Sequence, residues 1–166
     1  MKKILIISAT SRNNLILAKN IKSLFDDINI NTDLINLEEY NIPLYTPIEE
    51  KKSIPNEIES IHKKFVEASA FIICAPEYNG SLPPILSNVI SWLSVVGHDW
   101  RYVFNGKVGL MATHSGGGGN NLLQSLRIQL NHLGVVVLAR SIVVNKKIEF
   151  DPQSAKEKIN KLLDLL

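Results

Sequence analysis

An α/β fold, doubly wound around a parallel sheet, is what this sequence predicts, and two observations carry the prediction. Short apolar runs alternate with longer stretches of helical period, the pattern of repeated strand–helix units around a buried parallel sheet. The 166 residues amount to about one domain, and a hydrophobic content of 45% is ample for one packed core. No window approaches the roughly 18 apolar residues that a membrane-spanning helix needs.

Ile4 to Ile7 reads as the first strand. Asn13 and Asn14 then open a helix whose apolar residues Leu17, Ile21, Leu24 and Ile28 fall on one face. Thr32 to Leu37 is a weaker second strand, followed by a long surface connection through Pro43, Pro47 and Pro55 and a helix from Pro55 to Val66. Ala70 to Ala75, nearly all apolar, reads as a central third strand. Pro83 and Pro84 suit a helix start, where a missing N–H costs nothing, and Ile85 to Val96 continues that helix.

Lys107 to Thr113 is the fourth strand. Leu122, Leu126, Leu130 and Leu133 follow at helical spacing, with Gly134 in the place of a C-terminal capping glycine. Val135 to Val144 holds a fifth strand, and the last helix starts near Pro152 with Ala155, Ile159, Leu162 and Leu166 on one stripe. Five strands and five helices in alternation predict a five-stranded parallel sheet of flavodoxin-like order 2-1-3-4-5, helices on both faces and right-handed crossovers. The expectation is a single domain over residues 1–166.

Eighteen basic against sixteen acidic residues leave a net charge of +2, too small to steer the chain toward nucleic acid or anionic lipid. Partners are therefore expected among small molecules and protein surfaces. The one cysteine makes no internal disulfide, and the first apolar run ends at Ser8, short of a secretory segment. A cytoplasmic protein is expected. Cys74 reads as a small buried hydrophobe, and His62, His98 and His132 lack metal-ligand spacing, so no metal is expected.

Ligands in open α/β sheets bind beyond the carboxyl ends of the strands, which directs attention to the loops after strands one, three and four. The first, Ser8 to Asn14, contains no glycine, which excludes a dinucleotide GxGxxG loop and a Walker A loop. Thr10, Ser11, Arg12, Asn13 and Asn14 instead cluster hydroxyls, amides and one guanidinium at a helix start, where free N–H groups and the dipole favour an anion such as a terminal phosphate. The competing reading is that Thr10, Ser11 or Asn13 merely caps the helix, although capping accounts for one polar residue and not for five.

The second loop, Pro76-Glu77-Tyr78-Asn79-Gly80, offers a rigid turn, a flat aromatic, an amide and a glycine that would let backbone approach a planar ligand. An ordinary turn with an exposed Tyr is the alternative. The third, His114-Ser115-Gly116-Gly117-Gly118-Gly119, spends backbone entropy on four glycines, which close approach to a flat ring or pyrophosphate would explain and a flexible linker inside a strand–helix turn would not. His114 and Ser115 are adjacent, but no GxSxG elbow accompanies them, so a hydrolase triad is not expected.

Pro76-Glu77-Tyr78-Asn79-Gly80-Ser81 with Pro83, Leu86, Asn88, Ile90, Trp92 and Leu93 resembles the signature of the NADPH-dependent FMN reductase family. The Ser-Gly-Gly-rich third loop and the helix from Leu126-Arg127 to Leu133-Gly134 resemble the same family, from Ile4 to about Val144 in all. The resemblance implies a flavodoxin-like fold, FMN as cofactor, and Pro76, Glu77, Tyr78, Asn79 and Gly80 along the isoalloxazine. It implies Ser115, Gly116, Gly117 and Gly118 at the pyrimidine end.

The first loop departs from the family, reaching Leu17-Ala18 sooner. It is similar in spacing to a flavodoxin loop, with Ser11, Arg12, Asn13 and Asn14 standing where Thr, Gly, Asn and Thr would be and Arg12 a misfit.

The resemblance implies hydride transfer from NADPH or NADH through FMN to a flavin, quinone, azo or metal-oxyanion acceptor. Such chemistry belongs to the cofactor and demands no catalytic acid or base of the protein. A non-enzymatic flavodoxin-like electron carrier is the alternative, disfavoured because a net +2 offers little acidic docking face. The apolar residues of the helix from Ile85 to Val96 exceed one stripe and, with the resemblance, predict a homodimer or homotetramer. Burial of that surplus under the connection from Glu38 to Ser53 is the other outcome.

Overall fold

A computed structural model describes residues 2–166. The first strand, β1 (Lys3–Ser8), lies between β2 (Asn31–Asn36) and β3 (Ala70–Cys74), and β4 (Val108–His114) follows on the far side of β3. All of these pair in parallel, and β5 (Val136–Val137) completes the order 2-1-3-4-5. β1 and β3 are buried along almost their whole length, as central strands covered on both faces must be.

Side-chain alternation along these strands divides the core into two layers. Ile4, Ile6, Ile72 and Leu110 face α1 (Asn13–Asp26) and α6 (Pro152–Asp164), meeting Leu17, Ile21, Phe25 and Ile159. Leu5, Ile7, Phe71 and Met111 face α3 (Asn56–Glu67), α4 (Pro84–Leu93) and α5 (Asn120–His132). Gly134 adopts φ +88° just after α5, the left-handed conformation expected of a glycine there.

Four expectations are corrected. Residues 135–144 do not form one strand, because Val137 pairs with Gly109 and Ile142 with Ala112, which leaves four residues opposite two. The chain bulges at Leu138–Ser141, and β6 (Ile142–Val144) resumes against the upper half of β4. Arg127 stabilises the bulge by donating to the carbonyls of Leu138 at 2.9 Å and Ala139 at 3.2 Å. Ile28 lies beyond the end of α1 and is exposed, while Phe25 takes the buried place.

The helix begun at Pro84 ends at Leu93 rather than Val96, the Ser94 hydroxyl turning back onto the Ile90 carbonyl before Gly97 reverses the chain at φ +85°. The long connection also holds structure, a 3-10 turn at Leu37–Glu39 and a short helix α2 (Pro47–Glu50) capped by Thr46.

That connection covers Trp92 of α4. The Trp92 indole N–H donates to the Pro43 carbonyl at 2.8 Å, and the Tyr45 ring meets Trp92 edge-on at 5.3 Å. The Asn88 amide fastens the same segment, accepting from Tyr45 N–H at 2.7 Å and donating to Pro43 O at 3.0 Å. The connection thus covers part of the stripe that predicted a partner chain, while Ile85, Val95 and Val96 stay half-buried.

The N-terminal edge of the sheet carries a charge network in which Lys3 bridges Asp33 and Glu67, each at 2.9 Å. The bond from Lys3 holds the Asp33 carboxyl below its ordinary pKa. A folded pKa below the unfolded one means that the stabilisation is present at neutral pH and lost as acid protonates Asp33. Because these side chains are partly solvated, Asp33→Asn is expected to cost about 0.5–1 kcal/mol at pH 7, a cost that shrinks as the pH falls through the lowered Asp33 pKa, read from urea midpoints.

Candidate functional site

The loops beyond β1, β3 and β4 start from a common platform. The strand ladder runs one residue past each strand: Ala9 N–H donates to Cys74 O at 2.9 Å, Ala75 N–H to Ala112 O at 3.1 Å and Ser115 N–H to Val144 O at 3.2 Å. Cys74 itself is wholly buried, and burial pushes its thiol pKa up, so it behaves as the expected small hydrophobe.

In the first loop the capping reading fails. Arg12 occupies the N-cap of α1, and no side chain caps the helix. Its first turn therefore presents N–H groups beside the exposed side chains of Ser11, Arg12 and Asn13. Thr10 is nearly buried, its carbonyl accepting from the Ser8 hydroxyl. Asn14 turns inward: its amide donates to His114 O at 3.0 Å and accepts from His114 N–H at 2.9 Å, tying α1 to the end of β4. Asn14 therefore leaves the set of phosphate-contacting side chains and becomes a strut.

Tyr78 to Ser81 form a tight hairpin in the second loop. Tyr78 and Ser81 exchange backbone hydrogen bonds at 3.1 and 2.9 Å, while Asn79 and Gly80 between them sit at φ +49° and +73°, the left-handed pair that an Asn-Gly turn favours. The turn holds Tyr78 out, 47% exposed, over a cleft of about 550 Å³ lined by Glu77, Tyr78, Asn79, Ser81, Leu82 and Pro84.

Pro76 is buried and frames the turn. Glu77 does not lie free along a ligand, because its carboxylate accepts from Asn121 N–H at 3.1 Å and Leu122 N–H at 3.2 Å, capping α5 from the neighbouring loop.

A directed chain of hydroxyls locks the second loop to the third. Thr113 gives its proton to Ala75 O at 2.7 Å, so the Ser115 hydroxyl, 2.7 Å away, donates to Thr113 and accepts from Glu77 N–H at 2.9 Å. The hydroxyl that the resemblance places at a flavin thus also positions the two loops, its one proton going to Thr113.

The glycines beyond it differ among themselves. Gly119 adopts φ +65°, and a Cβ there would lie 2.8 Å from Thr113 Cγ2, so the fold itself requires that glycine. A Cβ on Gly116 or Gly117 would meet nothing within 4 Å, and neither has a positive φ. The folded chain gives no reason for glycine at those two positions, whereas a flat group lying on the backbone does.

Exposed Ser11, Arg12 and Asn13 at an uncapped helix start, with Tyr78, Asn79 and Gly80 and the bare backbone of Gly116–Gly118, fit a planar ring with a phosphate-ended tail. Among the described residues, no three His, Cys, Asp or Glu side chains gather as a metal site, and no helix is long and apolar enough to cross a membrane.

Sequence reasoning missed the end of β2. The Asn36 amide, 4% exposed, donates to Ser11 Oγ at 2.9 Å, and the Glu38 carboxylate accepts from Ser11 N–H at 2.6 Å. The available signal was Asn36-Leu37-Glu38-Glu39 at the carboxyl end of the strand beside β1, on the ligand edge, where the second strand passes into the connection.

Residues 2–149 match the family model described as NADPH-dependent FMN reductase. An uncharacterised protein of Mycoplasma pneumoniae is 27% identical over 98% of each chain. A quinone reductase of Escherichia coli is 30% identical over 107 residues, 64% of this chain and 53% of that protein, so the match spans about half of that relative. Among solved structures, the flavoenzyme NAD(P)H:(acceptor) oxidoreductase FerB of Paracoccus denitrificans superposes with a TM-score of 0.76 at 18% identity, covering 99% of this chain and 95% of that one. At that identity the likeness shows a shared fold.

Proposed function

The chain belongs to the NADPH-dependent FMN reductase family, and we propose that it is a single-domain, FMN-dependent NAD(P)H oxidoreductase whose acceptor is a small oxidant such as a quinone or a free flavin. The open backbone at Gly116 and Gly117 carries the reading, being unexplained by the fold and suited to a flat ring. The chemistry supplied by bound FMN is two-electron redox, a hydride in from the reduced nicotinamide nucleotide and two electrons out to the acceptor.

The protein's part is placement. The uncapped start of α1, with Ser11, Asn13 and Arg12, holds the phosphate. Backbone N–H groups of Gly116–Gly118 and of the Asn79-Gly80 turn hold the polar edge of the ring and stabilise negative charge that develops there. Tyr78 walls the cleft in which nucleotide and acceptor meet the ring. Asn14, Glu77, Ser115 and Thr113 keep the loops at fixed spacing.

The phosphate assignment has a simple test. Ser11→Ala with Asn13→Ala is expected to weaken FMN by about 2–5 kcal/mol while riboflavin affinity barely changes, from about 1–3 kcal/mol for each charge-assisted hydrogen bond. Equal loss for both flavins would contradict it. A panel of azo, metal-oxyanion, quinone and flavin acceptors, each with NADH and NADPH, identifies the second substrate.

A cytoplasmic setting suits a chain whose one cysteine is buried and unpaired. A homodimer or homotetramer is proposed on the family resemblance alone, since Trp92 and its neighbours are already covered. Sedimentation equilibrium with FMN tests it, a mass near 18.5 kDa being the contrary result.

A further inference from the structure

We propose that the Glu38 carboxylate competes with a bound phosphate for the Ser11 N–H, so that Glu38 sets how strongly the site prefers FMN over riboflavin. The proposal rests on the phosphate reading above.

Glu38 reaches Ser11 from the 3-10 turn that ends β2, accepting from its N–H at 2.6 Å. This contact is held by a built junction. Asn36 caps the turn through its Oδ1, while its Nδ2 donates to Ser11 Oγ at 2.9 Å and to the Glu39 carboxylate at 3.2 Å. Asn36 is almost wholly buried, so the turn cannot drift from the loop.

Two carboxylates, Glu38 on Ser11 and Glu39 on Asn36, thereby lie near the helix start assigned to the phosphate, where the Arg12 cation is exposed. A phosphate monoester carrying up to two negative charges gains the N–H groups and the helix dipole, but it must expel Glu38 from Ser11 and then tolerate it as a like-charged neighbour. Riboflavin, with no phosphate, meets neither obstacle. Glu38 is exposed, so its side chain has room to swing into solvent once displaced.

The test is equilibrium titration of flavin-free protein with FMN, riboflavin and inorganic phosphate, in the wild type, Glu38→Gln, Glu39→Gln and the Ser11→Ala, Asn13→Ala double variant. Glu38→Gln keeps the shape and removes the charge. It is expected to tighten FMN about tenfold and inorganic phosphate by a similar factor, leaving riboflavin within about twofold, as removal of one nearby like charge at a partly solvated site implies. Glu39→Gln, which touches Asn36 rather than Ser11, is expected to shift FMN by less than about threefold.

An unchanged or weakened FMN affinity in Glu38→Gln, with the double variant still losing FMN selectively, overturns the proposal and leaves Glu38 a strut in an intact phosphate site. Equal loss of FMN and riboflavin in the double variant overturns the phosphate reading itself, and the proposal with it. Thermal unfolding of each variant separates either result from misfolding.

Discussion

Gly117→Val is expected to leave the protein as stable as the wild type while weakening FMN at least about 100-fold, or about 2.7 kcal/mol. The two halves of that result have different causes. A Cβ at Gly117 meets no atom within 4 Å and the residue does not need a left-handed φ, so the folded chain tolerates the side chain. The branched group fills the space in which the backbone would lie against the flavin.

Gly119→Ala is the informative contrast. Its Cβ would press on Thr113, and a φ of +65° strains an alanine, so stability is expected to fall there. Urea unfolding read beside FMN titration distinguishes the two glycines. Loss of stability in Gly117→Val, or FMN binding at wild-type strength, would remove the glycine loop from the site.

Trp92→Ala is expected to cost about 3–5 kcal/mol, among the largest effects of any single substitution here. Trp92, on α4, is fully buried under the connection after β2. Truncation opens a cavity, removes the edge of the Tyr45 contact and leaves Pro43 O with only the Asn88 donor. Trp92→Phe refills most of the volume without the N–H, so it is expected to cost less, about 1–2 kcal/mol, by urea unfolding. Equal losses would mean that the indole hydrogen bond, not its volume, secures the segment. The same connection begins at the Glu38 turn, so both variants are expected to make residues 38–55 more susceptible to proteolysis.

Most of the architecture was legible because β1, β3 and β4 announce themselves as apolar runs that only a sheet covered on both faces can bury. What escaped depended on tertiary partners. Residues 135–144 carry enough apolar residues for one strand, and only the register against β4 reveals the bulge that Arg127 caps. The apolar surplus of α4 was visible, but periodicity does not say what covers it, and Pro43 and Tyr45 cover Trp92 from nearly fifty residues away.

At the site, the right loops could be chosen from strand ends, whereas the division of labour within them could not. Asn14, Glu77 and Ser115 have the chemistry of ligand contacts and spend it on His114, on the start of α5 and on Thr113. Glu38 went unnoticed because its role exists only where the end of β2 meets Ser11.

The most direct test of the central claim is anaerobic stopped-flow spectroscopy of the FMN-reconstituted protein mixed with NADH and with NADPH, after gel filtration has removed free flavin. The account predicts that flavin absorbance travels with the protein and bleaches on mixing with at least one nucleotide, then returns when a quinone or free flavin is added. Flavin that separates from the protein on the column, or that stays oxidised with both nucleotides, would contradict it.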